Sequence, residues 1–378
     1  MRRMILPVVL ALGVSAQTLP EIPVAPPMKS TAAQKWKIRY FYDEDKTELS
    51  LTDMSFAGAK YGVAVGAILE RKGRPRGTAL ITRDGGAKWT LAPLKEPPIS
   101  VFPLGEGRFY VVASKELYYS DEAGLKFERR KAPEGLLHVY FLDDRHGFGA
   151  GAGKTVWKTE DGAHTWTMVP ESESLKVTDE WTTITCVEFL NSKHGAIAGF
   201  SKPPRYAREP DWVDPERALR RRQLPSTTIL METGDGGATW ATHLTSVFGV
   251  VTRLQLHGLF GVSLFSFDDD FAWSSEVDEI DLHTGKSHPI FRRKDVTITD
   301  VLLLPSGSLV LAGIQPAGKL RTSPVPGKLR VFTSEDQQTW SEDEVDYRAA
   351  GHVAMLAAAG DRPYVALDSG MILTPESK

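Results

Sequence analysis

The chain has 378 residues, of which 42% are hydrophobic and 25% are charged, an ordinary composition for a globular protein with a large core. Its formal net charge of −3 argues against nucleic acid as a partner, because proteins that bind nucleic acid carry a basic field. Cys186 is the single cysteine, which excludes an internal disulfide and a cysteine-rich metal site; we expect it to pack as a small buried hydrophobe.

The first residues have the pattern of a secretory signal peptide. Arg2 and Arg3 precede a short apolar run, and small residues at 14–16 offer a cleavage site near Ala16. We therefore expect residues 1–16 to be removed and the mature protein to be secreted or periplasmic. The apolar run is too short to span a membrane, and we expect no membrane span elsewhere. Residues 17–35 are rich in proline and predict an extended leader outside the fold.

A short acidic turn recurs along the chain. Its strong copies are "TRDGGAKW", "TEDGAHTW" and "TGDGGATW", and its weaker copies are "SDEAGLKF" and "TSEDQQTW". In each copy an acidic residue stands five positions before an aromatic residue; the pairs are Asp84 and Trp89, Glu122 and Phe127, Asp161 and Trp166, Asp235 and Trp240, and Glu335 and Trp340. Recurrence at this scale indicates a repeat architecture.

The repeats define a four-stranded unit. A β-rich run and a glycine-rich strand, such as "AKYGVAVGA", precede the turns, and the aromatics at 89, 127 and 166 are 38 and 39 residues apart. That period and strand count are typical of a propeller blade. We predict an all-β, seven-bladed propeller over residues 36–378, with six or eight blades as alternatives. The first six blades are placed at about 49–93, 98–132, 136–170, 182–245, 250–292 and 296–346.

The last predicted blade lacks a strand. The C-terminal segment offers only three strand-like runs, whereas Lys35–Asp43 is a strand-like run without a blade of its own. We predict that this N-terminal strand completes blade seven and removes the open sheet edges.

The acidic turns are predicted to be structural. Glycine supplies positive φ, the aspartate accepts N–H groups of its own turn, and the aromatic residue packs between blades. An EF-hand would need further acidic residues and a P-loop would need Gly-Lys-Ser/Thr, and neither is present. We therefore expect no cofactor and no metal.

The octets resemble Asp-box (BNR-type) repeats, which secreted sialidases, other glycosidases and non-catalytic propellers carry. The whole arrangement is similar to the photosystem II stability/assembly factor family. This resemblance implies about seven blades and boxes that lie away from the binding face. It implies an assembly factor more directly than an enzyme.

Catalytic motifs are not evident. A sialidase would need an arginine triad, and its Phe/Tyr-Arg-Ile-Pro signature is absent from "KIRYFY". The acidic runs "FDDDFAW" (267–273) and "EVDEID" (276–281) are interpreted as charged turns, and no histidines form a zinc-binding pair. A glycan-active or glycan-binding propeller, such as a sialidase-like glycoside hydrolase, is the alternative to a non-catalytic one.

Three basic insertions are the most individual feature. The longest covers residues 201–226, and shorter ones are "ERKGRPRG" and "QPAGKLRTSPVPGKLR". All three fall between the second and third strands of their blades, so we expect them on one face of the ring as a basic rim. Loops on a rigid scaffold often carry binding residues. The candidate partner-binding residues are Arg74, Arg76, Arg205, Trp212, Arg217, Arg220, Arg221, Arg222 and Arg321.

These features together predict a protein-binding scaffold or assembly factor. The expected partner is another envelope or secreted protein, with a polysaccharide as a second option, and the propeller is expected to be a monomer.

Overall fold

The computed structural model describes residues 26–29, 34–121, 126–204, 225–268, 271–320 and 323–376. Seven antiparallel sheets, each built around four strands, form a seven-bladed β-propeller, as predicted. In the described part of the chain, no helix is long and apolar enough to cross a membrane.

The blades share one order of strands, from the centre of the ring outwards. The first strands are Thr47–Ala57, Pro98–Gly105, Leu136–Phe141, Thr182–Phe189, Val250–His257, Thr297–Leu303 and Ala354–Ala359. The second strands are Tyr61–Glu70, Arg108–Ala113, Gly147–Gly151, Gly195–Ser201, Phe260–Ser266, Leu309–Gln315 and Arg362–Leu367. The third strands are Arg76–Thr82, Glu116–Ser120, Trp157–Thr159, Ser226–Thr233, Ser275–Asp281, Gly327–Ser334 and Met371–Pro375. The fourth strands are Thr90–Pro93, Glu128–Lys131, Thr167–Met168, Ala241–Val247, Lys286–Arg292, Ser341–Glu342 and Lys35–Phe41.

Short elements lie in the connections between these strands. Two-residue strands occupy Lys319–Leu320, Ser323–Pro324, Glu344–Val345 and Ala350–Gly351. A helical turn, Pro170–Glu173, and a 3₁₀ turn, Asp179–Trp181, join blades three and four.

The N-terminal strand closes the ring as predicted. Lys35–Phe41 pairs antiparallel with Met371–Pro375, the last strand of the C-terminal segment. Trp36 on this strand is fully buried, and its Nε1 donates a hydrogen bond of 2.9 Å to Asp343 Oδ2 beyond blade six. The two chain ends therefore share one sheet, which leaves no unpaired blade.

Part of the proline-rich leader lies against the propeller, which corrects the prediction that it stands outside the fold. Trp340 N donates to Pro27 O at 2.9 Å, and Lys29 N donates to Trp340 O at 2.7 Å. The outer edge of blade six has open backbone groups, and an extended segment can satisfy them.

The hydrophobic core is divided among the seams, the packed interfaces between neighbouring blades. Cys186, for example, is buried in a cluster with Leu230, Leu254 and Phe265 between blades four and five. Burial raises the pKa of the Cys186 thiol to about 11.

The glycine that opens several second strands makes room for an aromatic ring. A Cβ on Gly195 would lie 2.4 Å from the ring of Phe189, and one on Gly147 would lie 2.6 Å from Phe141. The same phenylalanines make edge-to-face contacts with the aromatic residues of the turns; Phe189 and Trp240 have ring centroids 6.1 Å apart. Turn, first strand and second strand are thus packed together in each repeat.

The strong acidic turns satisfy their own donors. Asp235 Oδ1 accepts the N–H groups of Ala238 and Thr239, each at 3.0 Å, and the Thr233 hydroxyl at 2.9 Å. Asp161 and Asp84 make corresponding contacts. The Thr239 hydroxyl, which donates to Asp235 Oδ2 at 2.7 Å, and these hydrogen bonds lower the pKa of Asp235 to about 2.

Two of the degraded turns differ from the prediction. In blade six the carboxylate that closes the turn is Asp336, not Glu335; it accepts Thr339 N at 2.8 Å because this turn is one residue shorter. The sequence "EVDEID" is not a solvated turn but most of the third strand of blade five, with Glu276 and Asp278 buried. The box with Glu122 lies outside the described residues.

Candidate functional site: the insertion face and the central channel

Strand order assigns every connection to one of two faces. Because successive strands are antiparallel, the turns after first and third strands lie on one side of the ring, here called the turn face. The connections after second and fourth strands lie on the other side, here called the insertion face. The acidic turns follow third strands, so they belong to the turn face.

The three insertions all lie on the insertion face. They join the second and third strands of blades one, four and six. Arg74 is exposed there, and Arg76, at the start of its strand, forms an ion pair of 3.1 Å with Glu70. The other candidate partner-binding residues lie outside the described part of the chain; they are Arg205, Trp212, Arg217, Arg220, Arg221, Arg222 and Arg321.

Charges on the described part of this face are mixed rather than uniformly basic. Arg293 and Arg330 both contact Glu342, and Arg293 also pairs with Asp295 at 2.6 Å. In the acidic run 267–273, Asp268 pairs with Lys202 at the base of the longest insertion, at 2.8 Å. The uniformly basic rim therefore stays a prediction for the insertion residues alone.

Exposed apolar side chains are concentrated on the insertion face. Among the described residues, Leu259 is the large hydrophobic side chain in a turn-face loop that is more than a third exposed, and four others lie on or beside the outer strands of their blades: Met28, Leu91, Met168 and Leu244. Seven such side chains lie on the insertion face or at strand ends that reach it: Phe41, Trp181, Phe248, Leu320, Val325, Tyr347 and Val353. Exposed apolar side chains grouped on one face are typical of protein interaction surfaces.

Four of these residues form what we call the apolar patch: Leu320, Val325, Tyr347 and Val353. Leu320 is 74% exposed and Tyr347 is 84% exposed. They come from two segments that are held together by a backbone pairing, Gly327 with Gly351, and a side-chain contact, His352 Nε2 at 3.4 Å from Pro324 O. The patch therefore rests on a braced part of the fold.

A polar groove opens beside the longest insertion. Its volume is about 620 Å³, within the range of small-ligand sites. Trp181 and Lys154 line one side, and Pro203 and Pro225, which flank the insertion, line the other. Lys154 Nζ is already engaged, since it donates to Glu173 O at 2.8 Å.

The inner edges of the blades meet at a central channel where ionisable residues converge. Arg253 Nε donates to Asp300 Oδ1 at 2.8 Å, and its guanidinium also stabilises the charge of Asp53 from blade one. Burial raises the pKa of Asp53 to about 6 despite Arg253 and two backbone donors. Burial, reinforced by Arg253, lowers the pKa of His138 to about 4, so that imidazole is neutral.

The channel carboxylates tie blades together. Asp53 accepts Met54 N in its own blade at 2.8 Å and Val101 N in blade two at 2.9 Å. Asp300 accepts Val301 N at 3.0 Å and Leu356 N in blade seven at 2.8 Å. Because their oxygens are engaged by backbone donors, they are poorly placed to act as general acids or nucleophiles.

Sequence reasoning missed this inner-edge system, although a signal exists. Six of the first strands contain a bulge, and in four of them the bulged residue is a threonine: Thr52, Thr185, Thr252 and Thr299. Three of these hydroxyls donate to a carbonyl of the next blade; for Thr299 the acceptor is Ala354 O at 2.8 Å. In the sequence, this inner-edge system can be recognised by a recurring triplet of threonine, a polar residue and an apolar residue, as in Thr52-Asp53-Met54.

Comparisons with known proteins point to the fold. No protein-family model matches the sequence, and no curated protein does. A structure of YCF48 bound to D1 peptide gives a TM-score of 0.60 at 15% identity, over 94% of this chain and 100% of that one. YCF48 from Cyanidioschyzon merolae gives 0.53 at 16% identity, over 92% and 99% of the two chains. The WD40 propeller of Doa1 gives 0.52 at 11% identity, over 91% and 98%.

YCF48 is a photosystem II assembly factor, so the predicted resemblance to that family is confirmed. At these identities the likeness shows the shared fold alone.

Proposed function

We propose that this protein is a non-catalytic scaffold that binds another protein on its insertion face. The observation that carries the proposal is the asymmetry between the faces: most of the exposed apolar side chains and the described ends of all three insertions lie on one side of the ring. The opposite side has compact turns whose polar groups bond to themselves. A rigid ring with variable loops on one face is a common way to present a binding surface.

The central channel supports this proposal over glycoside hydrolysis. Its two aspartates serve as acceptors for backbone N–H groups, and Arg253 is bound to one of them. A glycosidase needs two carboxyl groups free to face a sugar. The neighbours agree with a binding role, since one of them is a propeller bound to a peptide.

We also propose that the protein works outside the cytoplasm as a monomer, after cleavage near Ala16. The basic and apolar N-terminal pattern supports this location. N-terminal sequencing of the protein from a native envelope fraction tests it. A mature chain that begins at Met1 would contradict it.

Affinity capture with matched surface variants tests the docking face. We expect Leu320→Ser combined with Tyr347→Ser to weaken capture of the main partner about 10-fold or more, because buried apolar anchors dominate binding energy. Leu259→Ser is the control, since Leu259 is 80% exposed on the turn face. A second variant, R220A/R221A/R222A, tests the insertion.

The readout is quantitative mass spectrometry of proteins captured from an envelope extract, followed by binding measurements with the purified partner. Equal binding by wild type, the patch variant and the insertion variant would refute the proposed face. Turnover of a fluorogenic glycoside panel by the purified protein would overturn the non-catalytic assignment.

A further inference from the structure

Blade five breaks the pattern of the repeat at one buried position. At the mid-strand position of the third strand that faces the preceding blade, other blades carry a buried apolar or aromatic residue; in blades one, two, four and six these are Leu80, Tyr118, Met231 and Phe332. In blade five the residue is Asp278. Its partner across the sheet is Ser263, where blade four has Ile197 opposite Met231.

Neither polar group has a hydrogen-bond partner among the described residues. Asp278 is 7% exposed and its Oδ1 is unpaired; Ser263 is fully buried and its Oγ is unpaired. The two are directly opposite in an antiparallel ladder, so their side chains stand next to each other on one face. An ionised carboxylate in such a place costs several kcal/mol, whereas a protonated one can donate to the neighbouring hydroxyl.

This face belongs to the seam between blades four and five. Phe265 and Ile280 share the face of Ser263 and Asp278 by strand alternation, and both pack into the apolar cluster that includes Leu230 of blade four. Burial raises the pKa of Asp278 to about 7.

The other titratable groups at the seam leave Asp278 uncompensated. On its own strand and the next, Glu276 is already paired with Arg292, whose guanidinium lies 3.9 Å from the centre of the Trp273 ring.

Blade four brings four titratable groups to this seam besides Lys202, which is paired with Asp268, and blade five brings Arg253, which is bound to Asp300. Cys186 lies in the same cluster, and Glu188 shares its face of the first strand. Glu232 of the third strand lies 3.4 Å from His243. Burial raises the pKa of Glu188 to about 8, so a second seam acid is also neutral at neutral pH.

We infer that the seam between blades four and five is a pH-sensitive hinge, which stays packed while Asp278 holds a proton next to Ser263 and loosens when that proton is lost to solvent. The hinge lies beneath two connections of the insertion face that Lys202 and Asp268 join. Proton loss would therefore change that part of the face, whatever partner it binds.

The direction of the pH effect follows from linkage. The pKa of Asp278 is higher in the folded protein than the ordinary value of about 3.9 in an unfolded chain. Its contribution to stability is therefore complete below about pH 4 and is lost as the pH rises through about 7. Between pH 6 and pH 8 the loss amounts to about a tenfold fall in the folding equilibrium constant.

Hydrogen exchange of the full-length protein at pH 6 and pH 8, corrected for intrinsic rates, tests the hinge. The test variant is Ser263→Ala with Asp278→Leu, which gives blade five an apolar pair at these two positions. Asp278→Asn removes the titratable group with little change of shape. It replaces the double variant in the comparison if the double variant does not fold. Glu279→Gln, on the same strand but the opposite face, is the control.

We expect strands Ser226–Thr233 and Ser275–Asp281 to lose protection between pH 6 and pH 8 about tenfold more in wild type and Glu279→Gln than in either Asp278 variant. Urea unfolding should give the same difference. Parallel pH profiles for wild type and both Asp278 variants would overturn the inference.

Discussion

Asp300 shows how a single side chain can supply hydrogen-bond acceptors to the inner edges of the blades. The innermost strand of each blade has a free edge, and its backbone N–H groups need acceptors. One carboxylate accepts from Val301 in its own blade, from Leu356 in the next blade and from Arg253 in the preceding blade. Three blades are therefore connected through one buried side chain that is 5% exposed.

Asp300→Ala is expected to destabilise the protein by about 2–4 kcal/mol, because it leaves a partly exposed guanidinium and two N–H groups without their acceptor. Asp53→Ala should cost less, about 1–3 kcal/mol, since that carboxylate has backbone donors but no direct hydrogen bond from arginine. Urea unfolding at neutral pH measures both values.

The double variant D300A/R253L separates the two causes. If the unpaired charge is the main cost, removing Arg253 as well should recover part of the loss, which a double-mutant cycle quantifies. Additive effects of the two substitutions on the free energy of unfolding would show that loss of the Arg253–Asp300 pair is not the cause of the destabilisation.

At the scale of elements, the acidic turn works as a self-contained unit. Its aspartate collects donors from the residues that follow it, and its tryptophan packs on the phenylalanine of the first strand. The spacing within the octet predicted this unit in three blades, because each contact is local in sequence. It assigned the wrong acid in blade six, where a shorter turn moves the carboxylate from Glu335 to Asp336.

The third strand of blade five could not be predicted from the local sequence pattern. Its acids suggest a solvated turn, because Glu276 and Asp278 are seldom buried. Packing against neighbouring blades overrides this pattern because it buries the strand, and the fourth strand of the same blade supplies Arg292 as the partner of Glu276. No spacing in the sequence shows that contact.

Asp235→Ala is expected to lower stability by about 1 kcal/mol and to leave partner binding unchanged. The loss is small because the N–H groups of Ala238 and Thr239 are exposed, so water replaces part of what the carboxylate supplies. Asp235→Asn keeps an acceptor oxygen, so its stability should lie between that of Asp235→Ala and that of wild type. Thermal unfolding and the capture assay measure the two effects; lost binding by a fully stable variant would show that the turn is itself a binding site.

For the whole molecule, periodicity predicted more than composition. Seven blades follow from a recurring unit, and the common face of the insertions follows from alternating strand direction. The channel lining did not follow, because it depends on bulges in the first strands and on which blades meet across the ring. The same limit applies to the leader, whose contact with Trp340 joins residues far apart in the chain.

Closure of the ring is the property that belongs to the molecule rather than to any blade. The N-terminal strand supplies the outer strand of blade seven, and Trp36 is fully buried between that strand and blade six. Losing this anchor should weaken the junction that closes the ring without a covalent link, namely the pairing of Lys35–Phe41 with Met371–Pro375 inside blade seven.

Trp36→Ala is therefore expected to cost about 3–5 kcal/mol, the usual effect of deleting a buried aromatic side chain. Phe41→Ala is the control, because Phe41 lies on the same strand but is 52% exposed. Urea unfolding gives the stabilities, and size-exclusion chromatography reports whether an opened strand edge promotes association.

A synthetic peptide spanning residues 34–43, added to a chain shortened to begin at residue 44, extends the test. If the strand closes the ring by non-covalent pairing, this peptide should restore stability and a monomeric elution volume, and its Trp36→Ala version should not. Equal costs for Trp36→Ala and Phe41→Ala, together with no rescue, would mean that the three C-terminal strands hold the ring without the N-terminal strand. That result would contradict a closure that depends on the burial of one tryptophan and the pairing of one strand.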